Sequence, residues 1–137
     1  LMRVTKITSA TVMVQREVAD RLAARPGTPD YGVPSVVVSL CGRVVERFSV
    51  PPQVFVPVPQ VDSAVVRIDR IEPPPHWREA VDMARRAFGQ RRKMLRRSLA
   101  DTVSEEAYAR AGIDPQSRPE ELSPSDFVAL AEALADG

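Results

Sequence analysis

The chain has 137 residues, of which 19 are Lys or Arg, 18 are Asp or Glu and one is His, for a net charge of +1. At 44% apolar and 27% charged, it has the balance of a globular protein rather than a disordered one. Its uninterrupted apolar runs, such as Val36 to Val38, are a few residues long and fall far short of the roughly 20 residues that a membrane-spanning helix needs. No signal-peptide core follows Leu1, and a lone Cys41 with a lone His76 excludes an internal disulfide and a Cys/His zinc cage. The expectation is a cytoplasmic protein with no membrane or metal partner.

In chain order, residues 10–14 form a short, β-branched apolar run that reads as a strand buried on both faces. From Gln15 to Ala24 the period turns helical, with Val14, Val18 and Leu22 on one stripe, until Pro26-Gly27 and Thr28-Pro29 stop it. A strand followed by a helix is one unit of an α/β sheet. Residues 33–40 and 44–48 read as two further strands, with Cys41-Gly42 as a bend between them. The proline-dense stretch from Val50 to Pro59 cannot lie in a central strand, because proline donates nothing to the ladder. Ala64, Val66 and Ile68 alternate with Val65, Arg67 and Asp69 and give one more strand.

Pro73, Pro74 and Pro75 make a stiff extended linker and the expected domain boundary. Beyond it the pattern is helical. Trp77, Val81, Ala84, Phe88, Leu95 and Leu99 approximate one stripe, with a break expected near Gly89. Ser104 is suited to cap a short helix closed by Gly112. Ser123, Pro124 and Asp126 start a last helix whose inner face is Phe127, Leu130, Ala131 and Leu134. The expected architecture is α/β plus all-α: residues 1–72 as the tail of an α/β sheet, and residues 73–137 as a small helical domain. About 70 residues of strands and one helix make a poor core alone, so further strands are expected upstream.

Charge is strongly segregated along this layout. Residues 78–97 hold eight basic side chains (Arg78, Arg85, Arg86, Arg91, Arg92, Lys93, Arg96 and Arg97) and two acidic ones. Residues 98–137 hold two basic and nine acidic side chains. Two readings of the basic block stand open: a local positive potential that attracts polyanions, or a solvated helix face answered by the acidic stretch folding back.

Catalytic signatures are nearly absent. The six glycines contain no G-x-G, so no phosphate-cradling loop can be drawn, and there is no G-x-S-x-G. His76, beside three prolines, reads as a linker residue, and Cys41 as a small buried core residue. Two segments stand out. In residues 55–63, prolines at alternate positions stiffen the chain after Phe55. They present its ring either as a platform that could stack on a nucleobase or as a plug for the core beneath. In residues 90–97, helical spacing would cluster Arg92, Lys93, Arg96 and Arg97 outward and turn Leu95 and Leu99 inward. Guanidinium forks bind phosphate bidentately, so Gln90, Arg91, Arg92, Lys93, Arg96 and Arg97 are candidate RNA-binding residues.

These residues, taken in order, resemble the KsgA-type ribosomal RNA small-subunit adenine dimethyltransferases. Residues 12–22 resemble the strand-helix unit late in that family's catalytic domain, and Pro29-Asp30-Tyr31-Gly32 its next loop, followed by a strand. Residues 55–63 resemble its F-x-P-x-P-x-V-D-S segment, and residues 88–93 its F-x-Q-R-R-K signature. Gly112-Ile113-Asp114-Pro115, Arg118, Glu121-Leu122-Ser123 and Phe127 are similar to its closing helices. The sequence departs from the common pattern at Val58, Gln60 and Arg97.

The resemblance implies that residues 1–72 are the C-terminal part of a Rossmann-like class I methyltransferase sheet and that residues 73–137 are a helical rRNA-binding domain. It implies methyl transfer from S-adenosylmethionine to two adjacent adenines near the 3′ end of small-subunit rRNA, with the immature small ribosomal subunit as partner. It places Phe55 against the flipped target base. The family's glycine-rich cofactor loop, its ribose-binding acid and its N-L-P-Y motif have no counterpart here. No catalytic or cofactor-binding residue is therefore expected in this sequence, and this chain alone is expected to be inactive. The alternatives are a non-catalytic RNA-binding assembly module on the same scaffold, or a large-subunit rRNA methyltransferase conferring antibiotic resistance. Cut out alone, residues 1–72 are expected to unfold in urea without a cooperative two-state transition.

Overall fold

The structure is a computed structural model, and it describes residues 8–51, 53 and 62–136. Among the described residues, three strands form one sheet in the order β1 (Ser9–Gln15), β3 (Ser63–Arg70), β2 (Gly42–Val50). Both outer strands run antiparallel to β3, so β1 and β2 are parallel to each other. Parallel strands need a crossover. It is supplied by α1 (Arg16–Leu22) and α2 (Val33–Cys41).

The second strand expected from the sequence, over residues 33–40, is instead α2. The β-branched valines suggested a strand, but they cost a helix only about a few tenths of a kcal/mol each. Two local features favour the helix. Pro34 sits in its first turn, where no amide partner is needed, and the Gly32 amide donates to Ser35 Oγ at 3.2 Å. Packing then decides. Val33, Val36, Val37 and Leu40, spaced i, i+3, i+4 and i+7, lie against the helical half, while Val38 joins Ala19, Ala64, Val66 and Ile68 against the sheet. Ser35, fully buried, donates to Arg21 O and so ties the start of α2 to the end of α1.

The expected double burial of β1 is also corrected. Among the described residues β1 pairs on one side only, and its exposure alternates. Val12 and Val14 pack inward, whereas Met13 is 57% exposed. In β2 a bulge at Val45 shifts the alternation, so that Arg47 and Ser49 lie across from Val66 and Ala64 of the inner face. Arg47 there pairs with Asp20 of α1. Phe48 is thereby turned to the outer face, where it shares a row with Val65 and Met13 and is 55% exposed.

After the prolines, His76 takes a left-handed backbone (φ 63°) and opens α3 (Trp77–Phe88), followed by α4 (Leu95–Ser98), α5 (Glu105–Ala111), a short 3-10 turn at Pro119–Glu121 and α6 (Pro124–Asp136). Caps sit where the sequence placed them. Ser104 Oγ accepts from the Ala107 amide, and Gly112 ends α5 at φ 73°. Ser123 and Asp126 exchange side-chain bonds with each other's amides at 3.1 and 2.9 Å. The main core joins α3, α4, α5 and α6 and continues across the prolines into Tyr31, Val36 and Leu40.

Two buried tyrosines differ in their bonding. Tyr31 donates its hydroxyl to Leu122 O at 2.6 Å, whereas the Tyr108 hydroxyl finds no partner among the described residues. Tyr31→Phe is therefore expected to cost about 1–2 kcal/mol, because a buried carbonyl loses its donor, and Tyr108→Phe to be neutral or slightly stabilising. Burial raises the pKa of both phenols, that of Tyr108 to about 12. Above about pH 10 the unfolded chain loses these protons first, so stability falls as pH rises. Urea midpoints measured from pH 8 to 11 should show this fall, and Tyr108→Phe should make it shallower.

Candidate functional site

Phe55 lies outside the described residues, as do its neighbours 54–61. The feet of that segment are described. Val50 ends β2 opposite Ser63, and Ser63 lies opposite Gln15, so the segment leaves and returns at one end of the sheet. There Asp62 O accepts from the Arg16 amide at 2.9 Å, and the Asp62 carboxylate stands 3.6 Å from the Arg16 guanidinium. The first turn of α1 thus holds the second foot.

The helix stops at Gly89 as expected, but residues 90–97 do not form the helix that their spacing suggested. Gly89 ends α3, and residues 89–92 are turns, with the Gln90 amide bonded to Ala87 O and the Lys93 amide to Gln90 O. Only Leu95–Ser98 is helical. Because the amides of a first helical turn lack partners within the helix, they must be satisfied elsewhere. The Leu95 and Arg96 amides donate to Ser117 O and Pro115 O at 2.8 and 2.9 Å. Asp114 folds that acceptor loop by taking the Gln116 amide on its carboxylate and the Ser117 amide on its carbonyl. The Gly112-Ile113-Asp114-Pro115 stretch therefore builds the seat on which α4 rests.

Seated this way, α4 drives Leu95 into the core, and Leu99 follows it, both essentially fully buried. Arg96 and Arg97 are left exposed, as are Gln90, Arg92 and Lys93 in the preceding turn. Among the described residues none of Arg92, Lys93, Arg96 and Arg97 forms an ion pair, and no carboxylate of the acidic stretch reaches them. Their neighbours are otherwise engaged: Arg85 stands 3.7 Å from Asp82, and Arg86 bonds Thr102 Oγ1 at 2.6 Å. The acidic stretch does not neutralise the block by pairing. It instead supplies α5 and α6, whose first turns carry Glu105, Glu106 and Asp126.

Arg91 stands apart from the other candidates. Although the residue is solvent-exposed, its guanidinium lies 5.0 Å over the Phe88 ring and donates to Tyr31 O and Pro29 O. Nothing in the spacing of the basic block marked out these two carbonyls, 60 and 62 residues upstream, as its partners.

A pocket of about 480 Å³ opens where the end of α1, the α2–β2 corner and the start of α6 meet, with Arg25, Arg43, Val38 and Pro124 in its lining. No cluster of metal-ligating side chains exists among the described residues, and no helix among them is long and apolar enough to cross a membrane. Nor does the pocket resemble a cradle for a nucleoside cofactor. Its ionisable lining residues are Arg25, Arg43 and the buried Tyr31, with no carboxylate to take ribose hydroxyls, and no glycine-rich turn borders it.

Comparison with known proteins adds a family profile described as ribosomal RNA adenine dimethylase, which matches residues 2–136. Among curated relatives, the ribosomal RNA small subunit methyltransferase A of Acidothermus cellulolyticus is 47% identical over 96% of this chain and 48% of its own length. The proteins of the same name from Alcanivorax borkumensis and Mycolicibacterium paratuberculosis are 45% and 46% identical. The chain spans about half the length of the curated relatives it matches. Among solved structures, a dimethyladenosine transferase from Plasmodium falciparum superposes with a TM-score of 0.74 at 20% identity, over 94% of this chain and 59% of the other. The 23S rRNA methyltransferase ErmE superposes at 0.65 with 26% identity, over 98% and 57%.

Since Leu95 is the apolar anchor beneath the exposed cations, Leu95→Ala is expected to destabilise by about 2–5 kcal/mol and to expose the Leu95 and Arg96 amides to exchange. Urea unfolding and amide hydrogen exchange would measure the two effects.

Proposed function

This chain belongs to the ribosomal RNA adenine dimethylase family, and from that premise we propose that it is the RNA-presenting half of an enzyme that dimethylates two adjacent adenines near the 3′ end of small-subunit rRNA. The observation that carries this reading is the group Arg92, Lys93, Arg96 and Arg97, exposed and unpaired among the described residues, on a segment anchored by the fully buried Leu95. Leaving four cations unneutralised in one stretch has a use if a phosphate backbone supplies the counter-charge, because displaced counterions then drive binding. Gln90 adds an uncharged hydrogen-bonding group beside them.

In this reading Phe55 stacks on the extruded target adenine, since reaching an exocyclic amine requires the base to leave its stack. The anchoring of Asp62 to α1 supports a fixed position for that segment's second foot. S-adenosylmethionine is the expected methyl donor of the family. The described residues do not form its cradle, and the site is assigned to the portion of the protein outside this sequence, as the C-terminal part of a class I methyltransferase sheet would require. The immature small subunit is the proposed partner, in the cytoplasm. The names of relatives near 45–47% identity support the small-subunit substrate over the large-subunit one, for which the fold neighbour is 26% identical.

Two measurements on the full-length protein test this. Phe55→Ala should lower methyl transfer to immature small subunits by an order of magnitude or more, and unchanged turnover would remove Phe55 from the mechanism. Replacing Arg92, Lys93, Arg96 and Arg97 together by alanine should flatten the dependence of log affinity on log salt by about 3, at about 0.7–0.9 for each phosphate no longer neutralised. An unchanged slope would make the block a solvated face only.

A further inference from the structure

We propose that Arg91 is a positioning residue that straps the helical half to the loop feeding α2, and that its task is opposite to that of Arg92 beside it. The proposal rests on the reading above, in which the helical half presents RNA.

Three interactions make the strap. Arg91 Nη2 donates to Tyr31 O at 2.5 Å, Nη1 donates to Pro29 O at 3.3 Å, and the guanidinium plane covers the Phe88 ring at 5.0 Å. It also passes close to Gly32, where a Cβ would stand 3.4 Å from Nη2. Only a planar fork can reach two carbonyls while lying on a ring. A lysine ammonium offers a point charge without that geometry.

The loop so held is gripped from other parts of the helical half as well. Phe88 packs edge-on to the Tyr31 ring at 5.7 Å and lies 6.2 Å from Phe127 of α6, and the Tyr31 hydroxyl reaches Leu122 O just before α6. Residues 29–32 lead directly into α2, which carries the packing between the two halves. Arg91 thus closes the joint at the point where the basic turn leaves α3. Its two terminal nitrogens face backbone carbonyls, while Arg92 and Lys93, one and two residues on, are exposed without ion pairs among the described residues. Consecutive cations of one short segment therefore divide the work. Arg91 sets the angle of the arm, and those that follow take the phosphates.

A positioning role predicts a loss in turnover rather than in binding, because small misplacements of a bound substrate cost rate on the order of tenfold to a hundredfold. The test compares Arg91→Ala, Arg91→Lys and Arg92→Ala in the full-length protein, using immature small subunits as substrate. For both Arg91 variants the expected result is kcat lowered by about ten- to a hundredfold, an unchanged salt slope of RNA binding, and faster hydrogen exchange at the Tyr31 and Gly32 amides. Arg91→Lys should fail to rescue despite its charge. Arg92→Ala should instead lower the slope by about 0.7–0.9 with exchange unchanged.

The strap is overturned if Arg91→Ala lowers the slope as Arg92→Ala does and lysine restores it, or if exchange at Tyr31 and Gly32 stays unchanged. Should Arg91→Ala fail to fold, Arg91→Lys decides by the same readouts. If Arg92→Ala leaves the slope unchanged, the RNA-presenting reading fails there, and exchange at Tyr31 and Gly32 still decides the strap.

Discussion

Everything in the described structure depends on α2 being buried along two of its sides at once. Val36 and Leu40 enter the core built by α3, α4, α5 and α6, while Val38 enters the smaller core under the sheet. A nine-residue helix has little stability of its own. It holds here because each flank covers apolar surface that would otherwise meet water. The Ser35 bond to Arg21 O and the Tyr31 bond to Leu122 O then fix its start from both sides. Neither half closes its core without this helix, so sheet and arm form one packed unit despite the proline stretch between them.

In the proposed reading, that joint gives the basic segment its use. Cations on a mobile tail can attract RNA, but they cannot direct it toward a chosen atom. Here Arg96 and Arg97 stand on a single helical turn whose amides are seated on residues 115 and 117 and whose Leu95 is sunk in the core. The arm is in turn locked to the loop before α2 through Tyr31, Phe88 and Arg91. A line of packing and hydrogen bonds therefore runs from exposed charge to the sheet, which is the property that the proposed base-presenting role would need.

Much of this was legible in the linear pattern. The period-2 alternation of β3, the stop at Gly89, the Ser104 and Ser123 caps and the left-handed Gly112 all rest on interactions within a few residues, and the structure bears each of them out. The exposed cations of the site were legible for the same reason, since charge and spacing are local. The exceptions are equally specific. The valine-rich run at 33–40 satisfies a strand alternation and a helical stripe about equally well, and local propensity separates the two by too little to choose. Similarly, the bulge at Val45 depends on its pairing with β3, so the outward turn of Phe48 could not be read from alternation in β2 alone.

By itself, then, the sequence determined where α3 stops, where α5 begins and ends and where α6 begins, which strand alternates, where positive charge gathers, and which family's motifs the chain carries. Tertiary structure alone decided that residues 33–41 coil into a helix with two buried flanks. It also decided that an arginine in the middle of a basic run turns back to grip carbonyls 60 and 62 residues away. Caps, turns and charge runs depend on groups close in the chain, whereas the choice between equivalent periodicities, and the partner of a guanidinium, depend on surfaces that exist only once distant segments have met.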